Sequence, residues 1–426
     1  MFSDNQKISS RQLHTLLITD WLGKVVLLLP ASFQGASAWT ILAGTVAGFA
    51  ASELFLCLAV SVADRGKRDF FFCVKERLCS WAALLLYLIY GVYFLCHGAI
   101  MLYLCGRIGG TYLLPEASGP LLIALPAIVG YYLARGGMEV RGRISELLAF
   151  LTWWAFLFLL LFALPGVRPH HLLAGGSIDA GGLMSFSAIV FASFGGVGAL
   201  PLAFPQVVTE GGKQERAKSL RGAGGKALAM VAFVLIITFL IGYGLFGQEG
   251  MARLEWPVIT VMSSTNLQGV FLQRWDVLLV GLLLFAMFLS AGTGIYYVST
   301  AGETLGMKRK PAQCGAVALA YLLAVFLSQM DGQTVFTWYR RINFLICVPG
   351  MVLFVGILLL AERTRNHKRR ADILDKKAGD FNDKNEAELD SLQSGIADMC
   401  DFSDRVHCPG TGGTPVSSGT GSGCEG

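Results

Sequence analysis

Long apolar runs separated by short clusters of Lys and Arg constrain this chain more than any other feature. Each run approaches the ~20 residues a helix needs to cross ~30 Å of hydrocarbon. Only helices or closed barrels satisfy their backbone in lipid, and these runs lack the alternation of barrel strands. Composition agrees: 54% of the residues are apolar and only 15% charged, against about 25% charged in a soluble domain. Mean hydropathy is +0.58. The expected fold class is an all-α integral membrane bundle of about ten transmembrane helices.

The spans read as Leu13–Pro30, Trp39–Val62, Leu78–Leu104, Pro120–Leu133, Ile144–Leu164, Met184–Phe204, Ala227–Phe246, Val277–Thr300, Ala312–Leu327 and Ile342–Ala361. With the N-terminus inside, the inner connections hold Arg65, Lys67, Arg68, Lys75 and Arg77, then Arg135, Arg141 and Arg143. Lys213, Arg216, Lys218, Arg221 and Lys226 follow, then Lys308 to Lys310, then the cluster opening the tail. The outer connections hold only Arg107, Arg168, Arg253, Arg274, Arg340 and Arg341. This asymmetry follows the positive-inside rule and places both termini in the cytoplasm. The polar start, Met1 to Arg11, lacks the layout of a cleavable signal, so the first helix is expected to remain as an anchor.

The expected membrane domain covers residues 1–363. Residues 364–426 carry a basic cluster, an acidic stretch from Asp380 to Asp404 and a Gly/Ser/Thr-rich end. Such a segment cannot bury a core, so a cytoplasmic, disordered tail is expected. Leu389, Leu392, Ile396 and Met399 offer one weak amphipathic series within it.

The net charge of +5 does not indicate nucleic acid, because the basic residues flank the spans. The ten cysteines show no CxxC pair and no Cys/His spacing, so neither a zinc site nor a disulfide framework is indicated. There is no nucleophile elbow and no phosphate loop. Neither an enzyme nor a resident cofactor is expected.

Three ionisable side chains fall inside spans: Asp20 and Lys24 in the first, Glu53 in the second. Charges at such depth usually face a bundle interior or a watery cavity. At a rise of ~1.5 Å per residue, Asp20 and Glu53 both lie ~10 Å from the inner edge. Lys24, four residues after Asp20, is therefore expected to sit near one or both carboxylates, as a structural ion pair or in a ligand-linked role. His97 in the third span reads as a satisfied bundle histidine. In the sixth span, Ser193-Phe194-Gly195-Gly196-Val197-Gly198-Ala199-Leu200-Pro201 is poor material for a continuous helix. Broken helices one and six are the layout of LeuT-like transporters, built from two inverted five-helix repeats, whose half-helix ends offer free N–H and C=O groups to a ligand. Gly23 is the counterpart in the first span. The other reading of such glycines is close helix packing, as for Gly44 and Gly48.

Several ordered segments resemble the B subunit of spore germinant receptors (GerAB-type), in the amino acid–polyamine–organocation superfamily. They are Ile8-Ser9-Ser10-Arg11-Gln12-Leu13 with Leu28-Leu29-Pro30, Arg135 to Arg143, Ser193 to Pro205, Leu254-Glu255-Trp256-Pro257, and Phe271 to Asp276. The resemblance implies a spore inner-membrane or plasma-membrane receptor subunit that senses a small germinant, typically an amino acid, beside A and C subunits. It implies a pocket between helices one, three, six and eight, with Gly23, Lys24, Ser193, Gly195, Gly196, Gly198, Ser290 and Thr293 as ligand-binding residues. Two departures stand at that pocket. The family's Gly-aromatic-Glu in helix six is Gly196-Val197-Gly198 here, and its Gly-x-Gly in helix one is Leu22-Gly23-Lys24. Lys24, partnered by Asp20 or Glu53, is expected to substitute for the missing acid. A secondary amino acid transporter is the alternative function.

Overall fold

The computed structural model describes residues 7–31, 37–63, 74–75, 80–173, 177–194, 200–208, 213–263 and 275–360, and, near the C-terminus, 384–385, 388–389 and 391–392. The chain forms two units, Met1–Ala361 and Glu362–Gly426. In the second, the described residues are exposed and helical, Leu389 and Leu392 among them. The disorder expected of the tail, and its Ile396 and Met399, lie outside the described residues.

The first unit is a helical bundle: α1 Ser10–Ala31, α2 Ala38–Ala63, α3 Ser80–Tyr112, α4 Gly119–Ala163, α5 Ala180–Ser193, α6 Lys213–Arg253, α7 Trp275–Thr304, α8 Arg309–Ser328 and α9 Gly332–Leu360. Seven helices among the described residues are long and apolar enough to cross a membrane. The described residues of each of the ten expected spans are largely helical. Two share α4, whose halves meet at Gly137, where φ is 71° and ψ −163°. The sixth is divided between α5 and the short helix Leu200–Ala203. The tenth begins earlier than expected, because Asp331 caps α9 by accepting from the Gln333 N–H at 3.1 Å.

Local chemistry explains where the bundle begins. Ser9 Oγ accepts from the Gln12 N–H at 3.2 Å and Gln12 Oε1 accepts from the Ser9 N–H at 3.0 Å, a reciprocal capping box. Ile8–Ser9 (β1) pairs in parallel with Val207–Val208 (β2). That pairing ties the start of α1 to the segment after helix six.

Contrary to expectation, α1 runs unbroken through Gly23. One glycine costs a helix only about 1 kcal/mol, and no proline or second glycine interrupts this turn. Gly23 instead serves packing: a Cβ there would meet Ala286 and Met287 of α7 at 3.7 Å. The break expected in helix six falls on residues 195–199, outside the described residues. The helices flanking it end at Ser193 and resume at Leu200.

The centre of the bundle is α7, wedged among α1, α3 and α4. Its Gly294 lies so close to α3 that a Cβ would stand 2.7 Å from the Phe94 carbonyl oxygen and 2.9 Å from Gly98 Cα. On α2, Gly44 and Gly48 give the same close approach to Phe186 and Val190 of α5. In lipid, where water supplies no drive for helices to associate, such contacts carry the packing.

Two outcomes test this packing, both read as thermal unfolding of the purified protein. Gly294→Val is expected to cost about 1–3 kcal/mol by overpacking, whereas Gly281→Ala on the same helix, with nothing within 4 Å of its Cβ position, leaves stability unchanged or raises it. Gly137→Ala is expected to cost about 1–3 kcal/mol, because its backbone conformation is open essentially to glycine alone. Equal stability of the Gly294 and Gly281 variants would mean that α3 and α7 do not meet as described.

Candidate functional site

Halfway along α1 a buried polar cluster forms. Asp20 Oδ1 accepts from Ser290 Oγ of α7 at 2.7 Å. Lys24 Nζ lies 3.8 Å from Asp20 Oδ2 and donates to the Tyr93 hydroxyl of α3 at 3.4 Å. His97 Nε2 is 2.8 Å from Ser290 Oγ and 3.7 Å from Asp20 Oδ1. The Lys24 side chain is only 3% exposed, and Asp20 is the counter-charge that offsets part of the cost of burying it. His97 is less satisfied than expected of a bundle histidine, since its buried Nδ1 has no hydrogen-bond partner among the described residues.

A second cation, Arg141 on the half of α4 after Gly137, is fully buried. Its Nη2 donates to Thr293 Oγ1 of α7, its Nη1 reaches Met138 Sδ at 3.4 Å, and its guanidinium lies 5.1 Å from the Tyr296 ring centre. Its Nε has no partner among the described residues.

Two small cavities, each of about 40 Å³, adjoin this cluster and share Lys24 on their walls. One is closed by Ser193 of α5 with Tyr339, Arg340 and Asn343 of α9. There α9 makes a π-helical turn over Asn343–Cys347, a distortion often found at functional sites. The other is lined by Asp20, His97, Arg141 and Thr293, and by Leu200 and Ala203 beyond the helix-six segment. One cavity thus reaches the end of α5 and the other the short helix Leu200–Ala203. Trp21 stacks edge-on against Phe194, the last described residue before it, with ring centres 5.8 Å apart. A volume of 40 Å³ holds a few waters and is far below the several hundred Å³ of a drug-sized ligand pocket.

Of the sequence-expected site residues, the structure gathers Asp20, Lys24, Ser193, Ser290 and Thr293 around these cavities. Gly23 packs against α7 instead, and Gly195, Gly196 and Gly198 lie outside the described residues. Glu53 is not part of the cluster: its carboxyl faces α6, 3.1 Å from where a Cβ on Gly225 would stand, with Arg221 as electrostatic neighbour. Equal depth in two helices does not fix which way each side chain faces, and Lys24 accordingly has one carboxylate neighbour rather than two among the described residues. Sequence reasoning placed Arg141 in a connection. The 3–4 spacing of Met138, Arg141 and Ser145, all buried on one face, was the signal that helix begins before Ile144.

The ion pair sets up a double-mutant test by thermal unfolding. Lys24→Met leaves the Asp20 charge buried without its cation and is expected to cost about 3–5 kcal/mol. Adding Asp20→Asn should restore most of the loss. Strictly additive costs would show that the two side chains do not interact.

Comparison with known proteins adds what geometry alone does not. A family model described as "Spore germination protein" matches residues 7–334. Spore germination protein KB of Bacillus subtilis (strain 168) is 24% identical over 384 residues, 87% of this chain and 99% of that protein. Spore germination protein YndE of the same organism is 23% identical over 334 residues, 76% of this chain and 88% of that one. Among solved structures, Mhp1, a nucleobase-cation-symport-1 family transporter in a closed conformation with bromovinylhydantoin bound, superposes with a TM-score of 0.58 at 12% identity, over 85% of this chain and 95% of its own. MhsT in complex with L-phenylalanine gives 0.59 at 16% identity, over 80% and 88%. The fold is thus that of LeuT-like transporters, and the chain belongs to the spore germination protein family.

Proposed function

We propose that this chain is the membrane-embedded subunit of a spore germinant receptor, binding a small germinant such as an amino acid and relaying that event to A- and C-type partner subunits. The observation that carries this reading is the charged cluster of Asp20, Lys24, His97 and Ser290, buried between the two cavities that flank the helix-six segment. A polar ligand needs such groups where water is excluded, and a purely structural helix contact does not.

Ser193, Ser290, Thr293 and Lys24 are proposed as ligand-contacting side chains. Gly195, Gly196 and Gly198 are proposed to leave backbone groups free for the carboxylate and amine. A germinant is larger than the present cavities, so binding requires the helices to separate. Ion pairs stand where they resist that. Arg107 near the end of α3 donates to Glu255 from Nε at 3.0 Å and Nη2 at 2.7 Å. Arg11 at the start of α1 lies 3.5 Å from Glu146 on α4. Ligand binding would bias the bundle between two arrangements, and the partners would read the difference. The segregation of Lys and Arg supports both termini in the cytoplasm, and the family match supports a place in the spore inner membrane.

The likeness to transporters favours a second reading, in which the chain moves its ligand across the membrane. Reconstituted vesicles separate the two. Under the receptor reading, vesicles holding this chain alone accumulate no labelled amino acid, and a response appears only when partner subunits are present. Accumulation by the chain alone would establish transport. Tags placed at each terminus should be digested together from one face of membrane vesicles, and digestion from opposite faces would overturn the proposed threading.

A further inference from the structure

The cavity at the cluster has an unbalanced charge. Its walls bring together Asp20, Lys24, His97 and Arg141. With His97 neutral, that is one negative charge against two positive ones. Arg141 cannot shed its proton to relieve the surplus, because a guanidinium stays charged under any condition a protein tolerates. An uncompensated buried charge costs several kcal/mol, so interiors rarely keep one without a counter-charge.

The surroundings of Arg141 sharpen the point. Its described contacts are a hydroxyl (Thr293), a thioether (Met138) and the faces of Tyr296 and Tyr297; the one acid acting on it electrostatically among the described residues is Asp20, which it shares with Lys24. The side chain is fully buried, yet its Nε is left without a partner among the described residues. Adjacent Nε and Nη donors form a planar fork that matches two carboxylate oxygens. Asp20, the acid lining the same cavity, is already engaged by Ser290 and Lys24.

We infer that Arg141 is the docking residue for a carboxylate, and that this cavity selects a small ligand of net charge −1 over a zwitterion. An acidic amino acid or a simple hydroxy acid brings the walls and ligand to neutrality, whereas a zwitterion leaves the surplus in place. A ligand with an amine and two carboxylates can set its ammonium beside Asp20 while one carboxylate meets Arg141. This deepens the proposed function and rests on its reading of the cavity as the ligand site.

The test uses the full-length protein in lipid nanodiscs, with unfolding temperature and affinity read at fixed ionic strength set by sodium methanesulfonate. The probes are L-glutamate and lactate (net −1), glycine (zwitterion) and glycinamide (no carboxylate). Glutamate or lactate is expected to stabilise the protein, glycine more weakly, and glycinamide not at all. Arg141→Met should weaken the anion's affinity about 10- to 100-fold, and Arg141→Lys, which keeps the charge but loses the fork, should fall between. Without ligand, Arg141→Met is expected to be no less stable than wild type, since it removes an uncompensated charge. Equal binding of glutamate by wild type and Arg141→Met, or stabilisation by glycinamide equal to that by glutamate, overturns the inference. Glycine binding that ignores Arg141 would leave the germinant reading standing and this one fallen. Lactate binding through Arg141, with no amino acid bound, would support this inference and overturn only the amino acid as the germinant's class. If no probe stabilises wild type, both fall.

Discussion

The contact on which the rest depends is the backbone approach of α7 to α3 at Gly294 and Gly98. In lipid, helices gain little from hydrophobic association, so steric fit at small residues decides which helices touch. Here that fit has a chemical consequence. With Gly292 and Gly294 turned toward α4 and α3, the intervening side of α7 presents Ser290 toward Asp20 and Thr293 toward Arg141. A bulkier residue at 294 would push α7 away by more than the length of a hydrogen bond tolerates. The packing motif and the polar site are therefore one structure seen from two sides of the same helix.

The second constraint comes from polar groups that lipid cannot solvate. Asp20, Lys24, His97 and Arg141 lie at depths where exposure to hydrocarbon is unaffordable, and each is enclosed by α1, α3, α4 and α7 rather than turned outward. The apolar surface facing the other way is extensive: Leu54, Leu88, Phe150, Leu322 and Leu353 are all exposed, as suits a protein whose solvent is acyl chain.

Much of the fold was legible in the sequence because span length and hydropathy are set by membrane thickness, a constraint independent of tertiary detail. The Gly44/Gly48 contact was readable too, since it depends on spacing along one helix. The continuity of α1 was not, because a break was carried over from the broken-helix layout on the strength of Gly23 alone, and one glycine does not break a helix. Glu53 and Arg141 show the limit from opposite directions. Glu53 shares Asp20's depth but faces α6, and facing depends on helix rotation, which apolar runs on all sides leave undetermined. Arg141 looked like loop because charge ordinarily ends a span. Only the run of buried positions at 138, 141 and 145 reveals that the helix has already begun.

The charges also border both described flanks of the sixth span. Lys24 borders both cavities, one reached by Ser193 before the 195–199 segment and the other by Leu200 and Ala203 after it. Trp21, one turn away on α1, packs on Phe194 at the end of α5, so displacement of either flank must be felt by α1. The start of α1 is in turn paired through Ile8–Ser9 to Val207–Val208, just past Leu200–Ala203. The first and sixth crossings are thus joined both at their middle and beside the start of α1. A small rearrangement at Lys24 cannot be absorbed locally, because interiors packed this closely switch between arrangements rather than deform.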